Sequence, residues 1–242
     1  FGYANAKAAF FLQAAVAALI CRELSEGETA RSAWAVAACV AAVVPVASRS
    51  TTGMALLLLP AVVLAAPQLR ISRRTLVPGM AVAFAAVLAG TVLIGLTNPP
   101  GKPAGPGRSY LGVIDQRRAD LWRDALSLME AHPLAGVGPG RFDQTSPVAM
   151  SDRDTRWAHN GFLQQGAETG IVGLLLLLNI FFWAFVRLYK DEGRSALLGL
   201  GAASLAALAI HASVDYVFHF PAIPVATALL VGSVASYRGS TA

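Results

Sequence analysis

Two polar stretches interrupt the long apolar runs of this sequence and decide its fold: RRADLWRDALSLMEAHPLAGVGPGRF (residues 117–142) and WAHNGFLQQGAETGIVG (residues 157–173). The first holds arginines and closely spaced glycines, and the second holds a His-Asn pair. Elsewhere apolar residues dominate, so that the chain of 242 residues is 55% hydrophobic and 14% charged, with a mean hydropathy of +0.56. So few charges cannot cover a soluble protein of this size. The lipid bilayer is therefore the expected solvent.

Apolar runs recur seven times along the chain, separated by charged or Pro/Gly-rich segments that cannot continue a buried helix. A spanning helix needs about 20 mostly apolar residues. The sequence therefore predicts an all-α, polytopic transmembrane helical bundle. The predicted spans are residues 1–20, 33–47, 54–69, 76–96, 170–188, 196–214 and 222–236.

The spacing of the runs predicts the domain organisation. Residues 1–96 hold spans one to four, residues 97–168 form a large, partly helical loop, residues 169–237 hold spans five to seven, and residues 238–242 form a tail. A connection of roughly 70 residues is far above the usual loop length, which is typical of a functional segment. Because the chain has no initiator Met and no signal peptide, we expect it to be the C-terminal part of a longer protein.

Lysine and arginine in the short loops predict the orientation. If the large loop is extracytoplasmic, the outer short segments hold only Lys7 and Arg49, and the inner ones hold Arg22, Arg31, Arg70, Arg73, Arg74, Arg187, Lys190, Arg194 and Arg238. This asymmetry follows the positive-inside rule. The topology then gathers polar residues at the outer face, where they mark a site: Asn5, Lys7, Ser48, Arg49, residues 117–159, His211, Asp215 and His219.

Apolar residues recur at helical spacing over residues 115–131 and predict an amphipathic helix. At 100° per residue, Arg118 lies on the apolar face near Trp122, whereas Arg123 projects from the opposite side and is expected to be solvated. A buried guanidinium needs an anionic partner. That partner is either Asp115 or Asp143, a lipid phosphate, or a substrate phosphate, which the planar fork of arginine suits.

His159 and Asn160 precede a helical run that begins near Gly161. An imidazole there lies beside the free N–H groups of a helix N-terminus, which attract phosphate, and its ordinary pKa suits general-base chemistry at neutral pH. The alternative is an interfacial histidine followed by an Asn N-cap. Three glycines at alternate positions, Gly136, Gly138 and Gly140, predict a tight turn whose N–H groups could bind an anion.

Further candidates have structural alternatives. Arg49, after Ser48, is a second cation at the outer face or a side chain that snorkels to lipid headgroups. The Asp152-Arg153-Asp154 segment resembles an Asp-x-Asp metal motif, but the neighbouring arginines favour salt bridges. His211 and Asp215, four residues apart at the end of the sixth span, are explained either by helix pairing or by a site.

In these residues the chain resembles the superfamily of O-antigen ligases and O-antigen polymerases, which are bacterial membrane glycosyltransferases. The ligase signature is His followed by Asn, Ser or Gln, nine residues, and Gly-x-x-Gly-Thr. His159, Asn160, Gly170 and Gly173 match it, and Leu174 stands at the final Thr. The other matches are Gly2 with Asn5, Ser48-Arg49, Arg118-x-x-x-Trp122, HPLAGVG (residues 132–138), Glu168-Thr169-Gly170, and His211 with Asp215.

This resemblance implies transfer of a glycan from an undecaprenyl-pyrophosphate carrier to an acceptor hydroxyl at the outer face of the bacterial cytoplasmic membrane, without a metal or other cofactor. The acceptor would be a lipid, a glycan or a protein. Arg118 and Arg49 would hold the pyrophosphate, and His159 would take the proton of the acceptor hydroxyl. The candidates for substrate binding are Arg117, Asn160, Ser48, Gly138, Asn5, Lys7 and Asp215.

Other functions remain open at this point. The nearest alternative is an O-antigen or exopolysaccharide polymerase of the same superfamily, followed by a protein O-glycosylating transferase. A permease or flippase for lipid-linked sugars would place charged residues within several spans, and the span interiors here are nearly free of them. The net charge of +5 does not indicate nucleic-acid binding, because the basic residues form no continuous stripe.

Overall fold

The computed structural model describes residues 3–98, 109–110, 114–151, 156–191 and 195–237. Within these residues the helices are α1 (Ala4–Leu24), α2 (Glu28–Ala47), α3 (Thr51–Leu56), α4 (Leu58–Ala65), α5 (Arg73–Thr97), α6 (Gln116–Ala131), α7 (Phe142–Thr145), α8 (Pro147–Ser151), α9 (Gly161–Lys190), α10 (Ser195–Val214) and α11 (Ala222–Ser236). Val217–His219 forms a 3₁₀ turn. Two antiparallel strands of two residues each, β1 (Ser109–Tyr110) and β2 (Ile114–Asp115), precede α6.

The predicted all-α, polytopic class is confirmed. In the described part of the chain α1, α2, α5, α9 and α10 are long and apolar enough to cross a membrane. A helix satisfies its own backbone N–H and C=O groups, which is why apolar segments cross lipid in this form. The third predicted span, residues 54–69, is instead two short helices, α3 and α4, over residues 51–65. Helix α11 has the bounds predicted for the seventh span, but its 15 residues are fewer than the roughly 20 that a spanning helix needs. The predicted tail, residues 238–242, lies outside the described residues.

The chain divides into two compact units. Unit 1 comprises residues 1–84, 181–211 and 217–242, and unit 2 comprises residues 85–180 and 212–216. In unit 1, helix α1 packs against α2, α3 and α11. An apolar cluster of Leu12, Leu56 and Ala207 is covered by Leu57, Leu59 and Ile210.

Unit 2 is organised around the apolar face of α6. Trp122 is completely buried there with Leu121 and Ala125, and Phe142 and Leu163 complete the centre of the cluster. This cluster contains most of the apolar residues whose helical spacing predicted an amphipathic helix over residues 115–131, and the helix runs from Gln116 to Ala131. Burying a side chain of this size stabilises the unit by about 2–3 kcal/mol. The cluster therefore fixes the position of α6, on which Arg118 lies.

A buried polar pair joins α1 and α10 within unit 1. The Ser204 hydroxyl donates to Oε1 of Gln13, and the Gln13 side-chain amide donates to the Ser204 carbonyl oxygen at 3.3 Å. Both side chains are buried, so neither can replace its partner with bulk water. Such hydrogen bonds hold apolar helices together where the hydrophobic effect gives no driving force between them.

We predict that Ser204→Ala lowers the stability of the folded protein by about 1 kcal/mol, because Oε1 of Gln13 then loses its donor in a buried position. The measurement is unfolding of the detergent-solubilised protein, followed by circular dichroism. Ser236→Ala is the matched control, since the exposed Ser236 hydroxyl bonds only to carbonyls of its own helix. Equal stability of the two variants would contradict a stabilising role for the pair.

Candidate functional site

The centre of the candidate site in unit 2 is the carboxylate of Asp215, whose side chain is only 1% exposed. Oδ2 of Asp215 lies 3.7 Å from Nη2 of Arg118, and Oδ1 lies 3.3 Å from Nδ1 of His159. Oδ1 also accepts the backbone N–H of Tyr216 at 2.8 Å. A buried carboxylate is stable only when cations or hydrogen-bond donors compensate for its lost hydration. Asp215 therefore brings together a guanidinium and an imidazole that are 41 positions apart in the sequence.

Arg118 lies in the first turn of α6, at the edge of its apolar face, and its side chain is 21% exposed. Nη1 donates to the carbonyl oxygen of Val214 at 2.8 Å. Val214 is the last residue of α10, where carbonyl groups lack helical partners and the helix dipole is negative. The sequence predicted an internal anionic partner, with Asp115 or Asp143 as candidates. One partner is Asp215, almost a hundred residues further along the chain.

His159 has a backbone conformation that few residues other than glycine adopt, with φ of 49°. Its carbonyl oxygen accepts the indole N–H of the buried Trp122 at 3.3 Å. Its side chain is 14% exposed, and Nδ1 faces Asp215. Strained backbone of this kind costs on the order of 1–3 kcal/mol and persists only where surrounding contacts hold it. Because Nδ1 faces a carboxylate, Nε2 is the nitrogen that can accept a proton.

Asn160 fixes the start of α9. Its Oδ1 accepts the backbone N–H groups of Phe162 and Leu163 at 3.1 and 3.0 Å, which is the geometry of an N-cap. Its Nδ2 donates to Oγ1 of Thr91 at 2.9 Å. Asn160 is completely buried. Its polar atoms therefore anchor α9 beside α5, and the residue next to His159 is held by three hydrogen bonds.

Two aromatic rings lie near the imidazole of His159. The Tyr216 ring lies edge-on to the His159 ring, with centroids 4.7 Å apart and an interplanar angle of 85°. The Trp157 ring lies 6.3 Å from Tyr216 at an angle of 31°. Both aromatic side chains are partly exposed. The site thus combines charged side chains with an aromatic surface, and His159 contacts both.

The predicted tight turn is present, with positive φ at Gly136, Gly138 and Gly140. Its amide groups bind an anion that belongs to the protein itself. The carboxylate of Glu168 accepts the N–H of Gly140 at 2.8 Å and the N–H of Phe142 at 3.4 Å, and the Gly138 N–H donates to the Glu168 carbonyl oxygen at 2.9 Å. The amide group of Gly138 is therefore engaged within unit 2, and substrate binding by this residue stays a prediction.

The turn packs on a break in α9. At Gly170 the backbone leaves the helical conformation, with φ of 69° and ψ of −172°. A Cβ at Gly170 would lie 2.4 Å from the carbonyl carbon of Leu134, and a Cβ at Gly136 would lie 2.3 Å from that of Glu168. Both positions therefore require glycine. The break divides α9 at the residue where the fifth span was predicted to begin.

Four of the predicted site residues lie in unit 1. Asn5 and Lys7 occupy the first turn of α1, where the Asn5 side-chain amide donates to the Tyr3 hydroxyl. Ser48 caps the C-terminus of α2, and its hydroxyl donates to the Pro45 carbonyl oxygen. Arg49 is exposed in the junction that follows, with φ of 54°. The participation of these residues in a site stays a prediction.

One expectation about α6 was wrong. Arg123 is not simply solvated: its guanidinium lies 3.5 Å from carboxylate oxygens of Asp120 and Asp124, and its side chain is only 23% exposed. The helical wheel located its face but could not locate these acidic neighbours. Arg117 is partly exposed in the first turn of the same helix. Gly2, Asp152, Asp154, Arg194 and Arg238 lie outside the described residues.

Several functional contacts escaped the sequence analysis. Trp157 and Tyr216 carry no motif, and their proximity to His159 depends on tertiary structure. Glu168 was noted only as part of a Glu-Thr-Gly match, although its carboxylate organises the glycine turn. The pairing of Trp122 with His159 could have been suspected, because a buried indole N–H requires an acceptor.

Comparison with known proteins adds an independent observation. A family profile described as O-antigen ligase matches residues 34–178, which is more than half of the chain. The matched segment includes Arg118, Trp122, His159 and Glu168, and it ends before Asp215. No curated protein matches this chain.

We predict that Glu168→Gln loosens the glycine turn, because an amide can offer only one oxygen to the two backbone N–H groups that the carboxylate now accepts. Hydrogen bonds to a charged group contribute about 1.5–3 kcal/mol each. The measurement is limited trypsin digestion of the solubilised protein, in which cleavage after Arg141 should accelerate. Glu130→Gln, at an exposed position on α6, is the control. Unchanged cleavage in Glu168→Gln would show that the turn does not depend on this carboxylate.

Proposed function

Because the chain belongs to the O-antigen ligase family, we propose that it transfers a glycan from an undecaprenyl-pyrophosphate carrier to an acceptor hydroxyl at the outer face of the bacterial cytoplasmic membrane. Membership of the family makes it a membrane enzyme of the glycosyltransferase type. The observation that carries the finer proposal is the carboxylate of Asp215, which joins Arg118 and His159 in unit 2. Of the three residues, Arg118 suits the binding of a phosphate, and His159 suits proton transfer.

In the proposed reaction, the acceptor oxygen attacks the anomeric carbon of the donor sugar, and the bond between that carbon and the pyrophosphate oxygen breaks. Nε2 of His159 takes the proton that the acceptor hydroxyl loses. The electron pair of the broken bond leaves with the lipid pyrophosphate. The products are the glycosylated acceptor and the carrier pyrophosphate. A direct displacement of this kind inverts the anomeric configuration. No step requires a metal ion.

Arg118 supplies positive charge where negative charge develops on the leaving pyrophosphate. Its guanidinium uses Nη1 to bind the Val214 carbonyl oxygen and Nη2 to face Asp215, so it approaches the substrate already oriented. A guanidinium held by such contacts loses little conformational entropy when it binds phosphate. This fixed orientation suits Arg118 to the donor end of the site, where the pyrophosphate binds.

Asp215 is proposed to position both reacting partners. Its Oδ1 faces Nδ1 of His159, which keeps Nε2 unprotonated and ready to accept a proton. The carboxylate also stabilises the imidazolium that forms when the acceptor proton arrives, as the acidic member of a catalytic triad does. Burial of Asp215 strengthens both interactions, since water screens them poorly in that position.

We predict that His159→Ala and Arg118→Ala each reduce transfer by at least about 100-fold, because the first removes the base and the second removes the charge on the leaving group. The measurement uses the full-length protein in proteoliposomes with a labelled lipid-linked oligosaccharide, and follows release of carrier pyrophosphate with and without acceptor. Glycan attached to a lipid or protein indicates a ligase, whereas longer carrier-bound chains indicate a polymerase.

The matched controls are His132→Ala and Arg141→Ala, at exposed positions of unit 2 outside the proposed site. Both should transfer glycan at rates close to that of the unaltered protein. If His159→Ala or Arg118→Ala does the same, that residue has no place in the mechanism. Movement of the lipid-linked sugar across the bilayer without pyrophosphate release would instead support a flippase.

A separate prediction concerns the carboxylate. Asp215→Asn should lower kcat by about 100-fold or more, because an asparagine amide that donates to Nδ1 places the imidazole proton on Nε2 and abolishes the base. The pH–rate profile should lose its base-dependent limb, an effect that mere loosening of the structure does not produce. A rate that falls without any change in the profile would assign Asp215 a structural role only.

A further inference from the structure

The candidate site has an aromatic end as well as a charged end. Beyond the imidazole of His159 lie the rings of Tyr216 and Trp157, with successive centroid separations of 4.7 and 6.3 Å. Both rings are partly exposed, so part of each remains accessible. Asp215 lies between Arg118 and His159, and the Tyr216 ring contacts the imidazole directly. A molecule that presents a hydroxyl to His159 therefore comes close to an aromatic surface.

The chemistry of these rings selects a class of acceptor. The face of an aromatic ring carries negative quadrupole charge and attracts weakly positive C–H groups, and stacking on it also removes apolar area from water. One face of a pyranose ring consists largely of such C–H groups, whereas its edge carries hydroxyls. A sugar that stacks on an indole therefore directs its hydroxyls sideways, toward neighbouring polar groups.

We infer that Trp157 and Tyr216 form an acceptor subsite, which binds a pyranose ring of a carbohydrate acceptor and presents one of its hydroxyls to His159. This inference rests on the proposed transferase function and narrows the acceptor to a glycan or glycolipid rather than a protein side chain. The subsite is polarised: pyrophosphate at Arg118, the proton acceptor at His159, and the acceptor sugar at the two aromatic rings. Tyr216 links the two halves directly, because its backbone N–H binds Asp215.

The geometry also explains why the rings are suited to this position. The edge-on contact between Tyr216 and His159 limits rotation of the imidazole, so an acceptor bound to the aromatic rings meets a base of fixed orientation. Trp157 is two residues from His159 in sequence, and His159 itself has a left-handed backbone conformation. One short segment thus carries both the proposed binding group and the proposed base.

The test compares Trp157→Ala and Trp157→Phe with the unaltered full-length protein. The probe is the oligosaccharide released by mild acid from the envelope glycolipids of the host bacterium, fluorescently labelled, and its binding is measured in nanodiscs without donor. Trp157→Ala should raise Kd about 10-fold, and Trp157→Phe should give an intermediate value because it keeps a ring. Trp183→Ala is the matched control: this exposed tryptophan lies on α9 in unit 1 and should leave Kd unchanged.

Kinetics with the intact glycolipid as acceptor provide the second readout. Trp157→Ala should raise KM for the acceptor by the same factor and change kcat by no more than about 2-fold, whereas His159→Ala should bind the oligosaccharide normally and fail to transfer. Failure of the oligosaccharide to bind the unaltered protein, or equal binding by Trp157→Ala, overturns the subsite. An anchoring role at the membrane surface predicts less inserted protein with unchanged Kd, which overturns it too.

The outcomes separate the two proposals. If the unaltered protein binds the oligosaccharide through Trp157 but releases no carrier pyrophosphate, the transferase function fails and the carbohydrate subsite stands. If transfer proceeds while Trp157→Ala and Trp157→Phe keep the acceptor KM of the unaltered protein, the transferase function stands and the subsite fails.

Discussion

The candidate site depends on one electrostatic constraint, the burial of the Asp215 carboxylate. A carboxylate removed from water is stable only if nearby groups replace its hydration. Here Arg118, His159 and the Tyr216 amide do so, from three different parts of the sequence. Removal of any one of them would leave part of the carboxylate charge uncompensated. The free-energy cost of an uncompensated buried charge is much larger than the net stabilisation that a buried ion pair provides. The same constraint that holds the groups together also gives each of them a defined orientation.

A second constraint acts on the backbone. Where α9 breaks at Gly170, the carbonyl oxygens of Ala167 and Glu168 are satisfied by the amides of Val137 and Gly138. The Ile171 amide is satisfied by the Pro133 carbonyl oxygen. A helix break in an apolar setting leaves backbone polar groups that must find partners. The glycine turn supplies those partners to α9, and α9 in turn holds the glycine turn in place. The turn and the first half of α9, which begins just after His159 and Asn160, are therefore one structural element.

Sequence patterns predicted the parts of the structure that depend on local periodicity. The 3.6-residue repeat gave α6 almost to the residue, and an Asn before an apolar run gave the N-cap at Asn160. Apolar composition gave the bounds of α11, but it did not reveal that the third predicted span is interrupted between α3 and α4. The pairing of Arg118 with Asp215 could not be predicted: nothing local distinguishes Asp215 from Asp143, and only the tertiary fold brings Asp215 to the guanidinium. The same is true of Tyr216 and Trp157.

The two constraints bear on how the proposed transfer could be arranged on a membrane scaffold. A soluble active site can draw on mobile water to reorganise around developing charge, but a site with few polar groups must have its dipoles in place beforehand. In unit 2 the guanidinium of Arg118 is held by a carbonyl group and a carboxylate. The imidazole of His159 is held by the same carboxylate, an aromatic ring and a strained backbone. Asn160 holds the start of α9. Each holding group is itself buried or bonded. The orientation of the reacting side chains is therefore fixed by the contacts around them. Most of those contacts meet at His159.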